Sequence, residues 1–184
     1  ACTYQATSGA GAAGPVELKE QMEAIINGKD IVNNVFQYQI VENLIPQIGS
    51  FLENGYTTEE MKMQNEGRKI MHLPELLVNC TCVRVPVVRS HSIALTVVTE
   101  ERLNIDEVKE SIKNAGGTVL YDDPVNKIYP MPIITSNQDL VYVGRIRKDL
   151  INENGISIWC AGDQVRKGAA TNAIQIMMKL VGLL

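Results

Sequence analysis

Apolar residues recur at helical spacing in some stretches of this 184-residue chain and form strand-like runs in others. Pro15 suits the first turn of a helix that Gly28 ends. The apolar stripe expected on this helix consists of Val16, Leu18, Met22, Ile25 and Ile26. Thr57 and Glu60 have the spacing of a capping box, which predicts a second helix that runs to about Met71.

The remaining pattern alternates between strands and helices. Residues 78–99 are rich in Val, Thr and Ile and predict one long strand or two consecutive strands. The other expected elements are a short strand or extended stretch at 35–47, a helix at 105–115, strands at 118–121, 139–147 and 156–161, and a final helix at about 165–184. Strands that follow one another directly, mixed with helices, predict an α+β fold with a mixed, largely antiparallel sheet covered by helices.

Residues 7–14 are small and predict a turn at which the backbone can approach another group closely. Gly9, Gly11 and Gly14 fall at the GxGxxG spacing of a dinucleotide-binding loop. That loop follows a buried parallel strand, and residues 2–5 are too short and polar to predict one. A flexible turn is therefore the favoured interpretation of these glycines.

The composition and net charge of the chain argue against several classes of function. The net charge of −4 gives no basic surface for nucleic acid or for an anionic membrane, and no apolar run has the length of a membrane span. Four cysteines and two histidines lack zinc-site spacing, so we expect no metal site and a reduced, cytoplasmic protein. We expect a single domain over residues 1–184. The first residue is not Met, which suggests a piece of a longer protein.

Residues 84–92 (RVPVVRSHS) place two arginines and a histidine in an otherwise apolar run. Arg84 can bind a carboxylate through two hydrogen bonds, and His91 can transfer a proton near neutral pH. Together they indicate a site for a small anionic substrate. The alternative is a strand edge with solvated cations. Glu59 and Lys62 share a helix face three residues apart, where an exposed ion pair is the simplest interpretation.

Several motifs occur in one order along nearly the whole chain. They are TYQATSGAG at 3–11, NLIPQI at 43–48, NGYTTEEMK at 54–62, CVRVPVVRSHS at 82–92, YVGRIR at 142–147 and RKGAATNA at 166–173. In these segments the chain resembles the substrate-binding and dimerisation domain of aspartate-semialdehyde dehydrogenase. The resemblance implies a fold similar to the C-terminal domain of the glyceraldehyde-3-phosphate dehydrogenase-like enzymes.

The resemblance also implies an activity. The family reduces L-4-aspartyl phosphate to L-aspartate 4-semialdehyde with NADPH, or runs the reaction in reverse, in lysine, threonine and methionine biosynthesis. A cysteine thiolate attacks the acyl carbon, a hydride moves to or from NADP, and a histidine manages the proton. The expected partners are the small substrate, phosphate and a second copy of the chain, because this domain forms the homodimer interface.

Site roles follow by matching motif. His91 resembles the acid–base histidine, and Arg84 resembles the residue that holds the substrate α-carboxylate. Gln5 resembles the glutamine that orients the substrate. Glu59 corresponds to the carboxylate that faces the substrate amino group, and Lys62 corresponds to a cation at the phosphate site.

Three further residues resemble cofactor contacts of the family, namely Ser8, Gly9 and Gln164. The family's nucleophilic cysteine lies upstream of the segment that matches residues 3–11, so Cys80 in the sequence Asn-Cys-Thr is expected to be an ordinary strand residue. The N-terminal NADP-binding domain is also expected to be missing, and the final helix is expected to pack on it. We therefore expect this chain alone to be inactive.

Two other functions remain open. A non-catalytic dimerisation module derived from such an enzyme has no use for the complete set of charged residues. The related N-acetylglutamyl-phosphate reductase needs no anion for a free ammonium group, so Glu59 is weak evidence against it.

Overall fold

A computed structural model describes residues 1–183, in which two compact units are distinguished, Ala1–Val88 and Arg89–Leu184. The expectation of one domain over residues 1–184 stays a prediction. Leu184, included in the predicted final helix, lies outside the described residues. No helix within residues 1–183 is both long enough and apolar enough to cross a membrane.

The first unit pairs two short parallel strands with two long helices. Its elements are strand β1 (Cys2–Gln5), a 3₁₀ turn (Thr7–Ala10), helix α1 (Ala13–Ile26), helix α2 (Thr58–Met71) and strand β2 (Thr81–Arg84). In α2 the capping box is formed as predicted, because Thr57 and Glu60 exchange hydrogen bonds between side chain and backbone. Strand β1 lies parallel to β2 and buries alternate residues. The expectation that residues 2–5 do not form a buried parallel strand was therefore wrong.

The stripe predicted on α1 was also wrong in part. Leu18 is buried, but Val16, Met22, Ile25 and Ile26 are exposed, while Glu17 and Gln21 are buried. The reason is the long loop that packs against this helix.

Glu17 accepts hydrogen bonds from the backbone N–H groups of Asn34 and Phe36, and Gln21 accepts one from Ile40. Buried backbone donors need partners, so polar side chains occupy the face that the hydrophobic pattern did not mark. The loop also supplies most of the first unit's apolar cluster, which consists of Leu18, Phe36, Ile40, Val41 and Ile45. The predicted extended stretch at 35–47 is irregular apart from an isolated bridge at Ile45.

The second unit contains a mixed sheet with helices. Its elements are β3 (His91–Val98), α3 (Ile105–Asn114), β4 (Thr118–Leu120), α4 (Pro132–Thr135), β5 (Val141–Lys148), β6 (Gly155–Gly162), a π-helical turn (Arg166–Ala170) and α5 (Thr171–Leu180). The strand order is β3-β6-β5-β4, in which the first two pairings are antiparallel and β4–β5 is parallel. The predicted α+β class with a mixed, largely antiparallel sheet is confirmed.

The apolar run at 78–99 is interrupted. Strand β2 ends at Arg84 and β3 begins at His91, so the two-strand alternative is correct. Ser90 adopts a positive φ of 76°, a conformation that ends regular extended backbone for a non-glycine residue. Pro86 lies in the interruption and cannot donate a ladder hydrogen bond. The chain thus leaves the strand conformation between the two residues that carry the predicted chemistry.

Candidate functional site

A polar buried face on β1 and β2 forms the first part of the candidate site. The parallel register pairs Thr3 with Cys82 and Gln5 with Arg84, and all four side chains are buried. Because alternate strand residues point to the same face, the pairing collects these side chains on one side of the two strands. A buried face with this many polar groups requires nearby partners, and α2 supplies them.

Arg84 is the most deeply buried charge of this face, with only 7% of its surface exposed. One terminal nitrogen of its guanidinium donates to the carbonyl oxygen of Ala6 at 2.6 Å. Burial lowers the pKa of Arg84, and the negative charge of Glu59 opposes that shift. A guanidinium has five N–H donors in a planar fork, so this side chain is suited to hold a carboxylate through two parallel bonds.

Glu59 connects the strand face to Lys62 on the first turns of α2. Gln5 Nε2 donates to Glu59 Oε1 at 3.2 Å, and Lys62 Nζ donates to Glu59 Oε2 at 3.1 Å. Burial acts to raise the pKa of Glu59, but the hydrogen bonds from Lys62 and Gln5 and the charge of Arg84 outweigh it and lower the pKa. The Glu59 hydrogen bond raises the pKa of Lys62. The ion pair expected from the spacing is present, but Glu59 is only partly exposed and also accepts a hydrogen bond from the buried Gln5.

The first unit therefore brings together Gln5, Glu59, Lys62 and Arg84. We call these four residues the charged cluster. It holds a buried cation, a partly buried anion and an exposed cation. A ligand that carries a carboxylate, an ammonium and a second anionic group would match these charges one by one.

His91 opens strand β3 in the second unit, opposite Gly162 of β6. The preceding residue fixes the start of the strand. Ser90 N–H donates to Gln164 Oε1 at 3.1 Å, and the hydroxyl groups of Ser90 and Thr135 share a hydrogen bond of 2.5 Å. Ser90 and Thr135 are fully buried, so this hydrogen bond helps to fix the backbone immediately before His91.

A cavity of about 320 Å³ adjoins the imidazole and lies entirely within the second unit. Its lining includes His91, Gln164, Lys167 and Gly168, together with apolar atoms of Ile93 and Val141. A predominantly apolar pocket with a few convergent polar groups is typical of small-molecule sites. Gln164, predicted as a cofactor contact, thus lies beside the same cavity as the predicted acid–base histidine.

Asp163 is a residue that sequence reasoning missed. It is completely buried and receives hydrogen bonds from Arg89 Nε at 2.6 Å, Asn137 N–H at 2.7 Å and Val165 N–H at 3.0 Å. Burial acts to raise its pKa, but the Arg89 and backbone hydrogen bonds outweigh it and lower the pKa. The carboxylate thereby ties the residue before Ser90 to the segment that carries Gln164. The signal was available, since an acidic residue adjoins Gln164 and an arginine precedes Ser90.

Ser8 and Gly9 lie in the 3₁₀ turn of the first unit. The Ser8 N–H donates to Val88 O at 3.1 Å, and the Gly9 N–H donates to Ala6 O at 3.0 Å. Their backbone donors are used within the fold, so these residues fit a cofactor through close approach and not through amide hydrogen bonds to phosphate. Gln164 fits such a contact better, because it lines an apolar cavity large enough for part of a ring.

The chain is similar to known proteins over most of its length. The family model described as the semialdehyde dehydrogenase dimerisation domain matches residues 1–167. The chain is 48% identical over 180 residues to the aspartate-semialdehyde dehydrogenase of Aquifex aeolicus, covering 97% of this chain and 53% of the relative. It is 48% identical over 183 residues to that of Campylobacter jejuni, covering 98% of this chain and 53% of the relative.

The chain is also similar in structure to a solved enzyme of the same name. Aspartate semialdehyde dehydrogenase II of Vibrio cholerae, crystallised in complex with ASA, superposes with a TM-score of 0.94 at 43% identity, covering 98% of this chain and 53% of that one. The chain thus spans about half the length of the relatives that it matches. On the match to residues 1–167, the chain belongs to the semialdehyde dehydrogenase family and corresponds to its dimerisation domain.

Proposed function

We propose that this chain is the substrate-binding and dimerisation part of an aspartate-semialdehyde dehydrogenase. The complete enzyme would reductively dephosphorylate L-4-aspartyl phosphate to L-aspartate 4-semialdehyde with NADPH, in a reversible reaction. The charged cluster is the observation that carries the proposal, because its buried Arg84, partly buried Glu59 and exposed Lys62 match the three charged groups of aspartyl phosphate.

Each residue of the charged cluster has one role in this proposal. Arg84 binds the substrate α-carboxylate, and Glu59 accepts hydrogen bonds from the substrate ammonium. Gln5, already hydrogen-bonded to Glu59, orients the substrate. Lys62 is the most exposed of the four and binds the phosphoryl group.

His91 is the proposed acid–base residue of the second unit. Ser90, the residue before it, is hydrogen-bonded to Gln164 and Thr135, and His91 lines the cavity of the second unit. NADPH, when bound, supplies the hydride. By the family resemblance, Gln164, Ser8 and Gly9 would contact that cofactor, and Gln164 lines the same cavity as His91.

The proposal favours a free amino acid over an N-acetylated one. Glu59 is ionised at neutral pH, since its pKa is lowered, and an anion at this position attracts an ammonium group. An acetamido group carries no charge to balance it. N-acetylglutamyl-phosphate reductase is therefore the less suitable activity, and a purely structural module would have no need of the charged cluster.

Titration of the ¹⁵N-labelled chain with L-aspartate 4-semialdehyde tests the binding roles. We expect resonance shifts for the Gln5 side-chain amide and for Arg84 Nε, together with their loss in Arg84→Lys. The Glu59→Gln variant should bind the N-acetylated form of the semialdehyde no more weakly than the form with a free amino group. Absence of shifts in the wild-type chain at millimolar ligand would contradict the proposal.

A second titration, with inorganic phosphate, isolates Lys62. We expect Lys62→Ala to weaken phosphate-induced shifts in α2, whereas Lys69→Ala, an exposed lysine on the same helix, should leave them unchanged. Equal effects of the two variants would assign phosphate binding to the general charge of the helix and not to Lys62.

A further inference from the structure

A short segment at the end of helix α4 is hydrogen-bonded to two parts of the chain that line the cavity beside His91. The segment consists of residues 135–137, and we call it the α4 end. Each of its three residues makes one hydrogen bond to a residue next to the cavity lining or within it. The function proposed above assigns no role to these three residues.

The first of these bonds joins two buried hydroxyl groups. Ser90 Oγ and Thr135 Oγ1 lie 2.5 Å apart, and both side chains are completely buried. Thr135 Oγ1 also lies 3.2 Å from the carbonyl oxygen of Met131, so Thr135 can donate there and accept from Ser90. A buried hydroxyl that loses its partner is unfavourable, so removal of the Thr135 hydroxyl disturbs Ser90 directly.

The other two bonds hold the chain on both sides of the cavity lining. Ser136 Oγ donates to the carbonyl oxygen of Arg89 at 3.2 Å, and the Asn137 N–H donates to Asp163 Oδ2 at 2.7 Å. Arg89 Nε donates to the same carboxylate oxygen at 2.6 Å. The α4 end is thus bonded both to the residues before β3 and to the residue after β6.

The backbone of Ser90 has a conformation that needs support from its surroundings. Its φ of 76° lies in the left-handed region, which is unfavourable for a residue other than glycine. Such conformations persist where neighbouring groups hold them, and they are frequent at functional sites. In this conformation the Ser90 N–H donates to Gln164 Oε1 at 3.1 Å. A change at Ser90 would therefore affect both Gln164 and the next residue, His91, which line one cavity.

We propose that Thr135 is a positioning residue that acts through Ser90. Its hydroxyl keeps Ser90 in the left-handed conformation, and this conformation sets the places of His91 and Gln164 in the cavity. The role of His91 in proton transfer rests on the function proposed above, but the positions of the two side chains do not. An acid–base residue must lie within hydrogen-bond distance of the group with which it exchanges a proton, so a displaced backbone at Ser90 would slow the reaction of the complete enzyme.

NMR of the uniformly ¹³C- and ¹⁵N-labelled chain tests this role, because the sequence contains two histidines only. His91 belongs to the second unit, and His72, in the first unit, is the internal reference. Thr135→Val nearly keeps the shape of the side chain and removes the hydroxyl. We expect it to displace the imidazole signals of His91 and the side-chain amide signals of Gln164, and to leave the His72 signals unchanged. Thr135→Ser, which keeps the hydroxyl, should restore the wild-type signals.

Thr99→Val is the matched control in the second unit. Thr99 follows the other end of β3, and its hydroxyl is hydrogen-bonded to the carbonyl oxygens of Glu101 and Asn154. This variant also loses a hydroxyl group that is bonded to the backbone. We expect it to leave the signals of His91 and Gln164 unmoved.

Unchanged His91 and Gln164 signals in a folded Thr135→Val chain would overturn the proposal, as would equal displacements in Thr99→Val. If Thr135→Val does not fold, Ser90→Gly replaces it, because glycine adopts a positive φ without strain. That variant also lacks the bond to Thr135, and unmoved Gln164 side-chain signals in it would contradict the proposal. The titration with L-aspartate 4-semialdehyde tests the proposed function separately, since its failure would not alter the signals expected of His91.

Discussion

At the scale of single residues, buried carboxylates contribute to the stability of both units. Asp163 in the second unit and Glu60 in the first are each buried and each accept several hydrogen bonds. A buried charge without partners is strongly unfavourable, so replacement of either side chain leaves donors unsatisfied. Their effects on stability can be measured separately from any activity.

Asp163→Asn should destabilise the chain by about 3 kcal/mol, because Arg89 and the Asn137 and Val165 N–H groups lose their carboxylate acceptor. Urea unfolding followed by circular dichroism measures the change. Asp106→Asn, at an exposed position in the first turn of α3, should alter stability by less than about 0.5 kcal/mol. Equal effects at the two sites would show that the buried network contributes nothing.

Glu60 should make stability depend on pH. Burial acts to raise its pKa, but hydrogen bonds from the backbone of Thr57 and Cys82 outweigh it and lower the pKa below the ordinary 4.5. The unfolded state therefore binds the proton more readily, and the stabilisation present at neutral pH is lost as the pH falls through the folded-state pKa. We expect the free energy of unfolding to decrease between about pH 5 and pH 3. Glu60→Gln should flatten this dependence and lower stability at pH 7.

At the scale of elements, the local signals of helix α2 were sufficient and those of α1 were not. The capping box of α2 depends on residues three apart in sequence, so the spacing alone predicted it. The buried face of α1 depends on which loop packs against it, and Glu17 and Gln21 are buried because they accept backbone N–H groups of that loop. The hydrophobic pattern carries no information about such a partner.

Gly144 in β5 marks a close approach between two parts of the second unit. A Cβ atom at this position would lie 2.3 Å from the carbonyl oxygen of Tyr121 and 2.7 Å from Pro130 Cδ. Gly144→Ala should therefore destabilise the chain by about 1–3 kcal/mol. Gly116→Ala, where a Cβ would meet no atom within 4 Å, should be neutral or slightly stabilising. Thermal unfolding of both variants measures the difference, and comparable melting temperatures would contradict the steric argument.

At the scale of the whole molecule, α5 and the residues after it carry several exposed apolar side chains. They are Ile174, Ile176, Met177, Leu180, Val181 and Leu183. Helix packing on a further domain stays a prediction. Contiguous apolar surface is typical of surfaces that pack against another protein or domain.

The chain should form a two-fold dimer, as the family's dimerisation-domain description suggests. Light scattering should give about twice the 20.3 kDa mass of one chain. A single species at 20.3 kDa at micromolar concentration would contradict this prediction.

We predict no dehydrogenase activity for the 184-residue chain alone, because it spans about half the length of its relatives and because Cys80, which is buried, is not expected to serve as the nucleophile. An assay with L-aspartate 4-semialdehyde, phosphate and NADP tests this. Turnover above background that disappears in Cys80→Ser would show that the assignment of this cysteine is wrong.

The sequence by itself determined the α+β class, the capped helix α2 and the family, because these depend on local spacing and on motifs in a fixed order. It left one strand or two open over residues 78–99, and the structure decided that Arg84 ends one strand and His91 begins the next. Only the tertiary structure decided that the short polar residues 2–5 form a buried parallel strand and that Gln5 and Glu59 are hydrogen-bonded. It also decided that Asp163 anchors the segment beside His91. These are contacts between residues distant in sequence, and their energies depend on burial and on partners that no local pattern specifies.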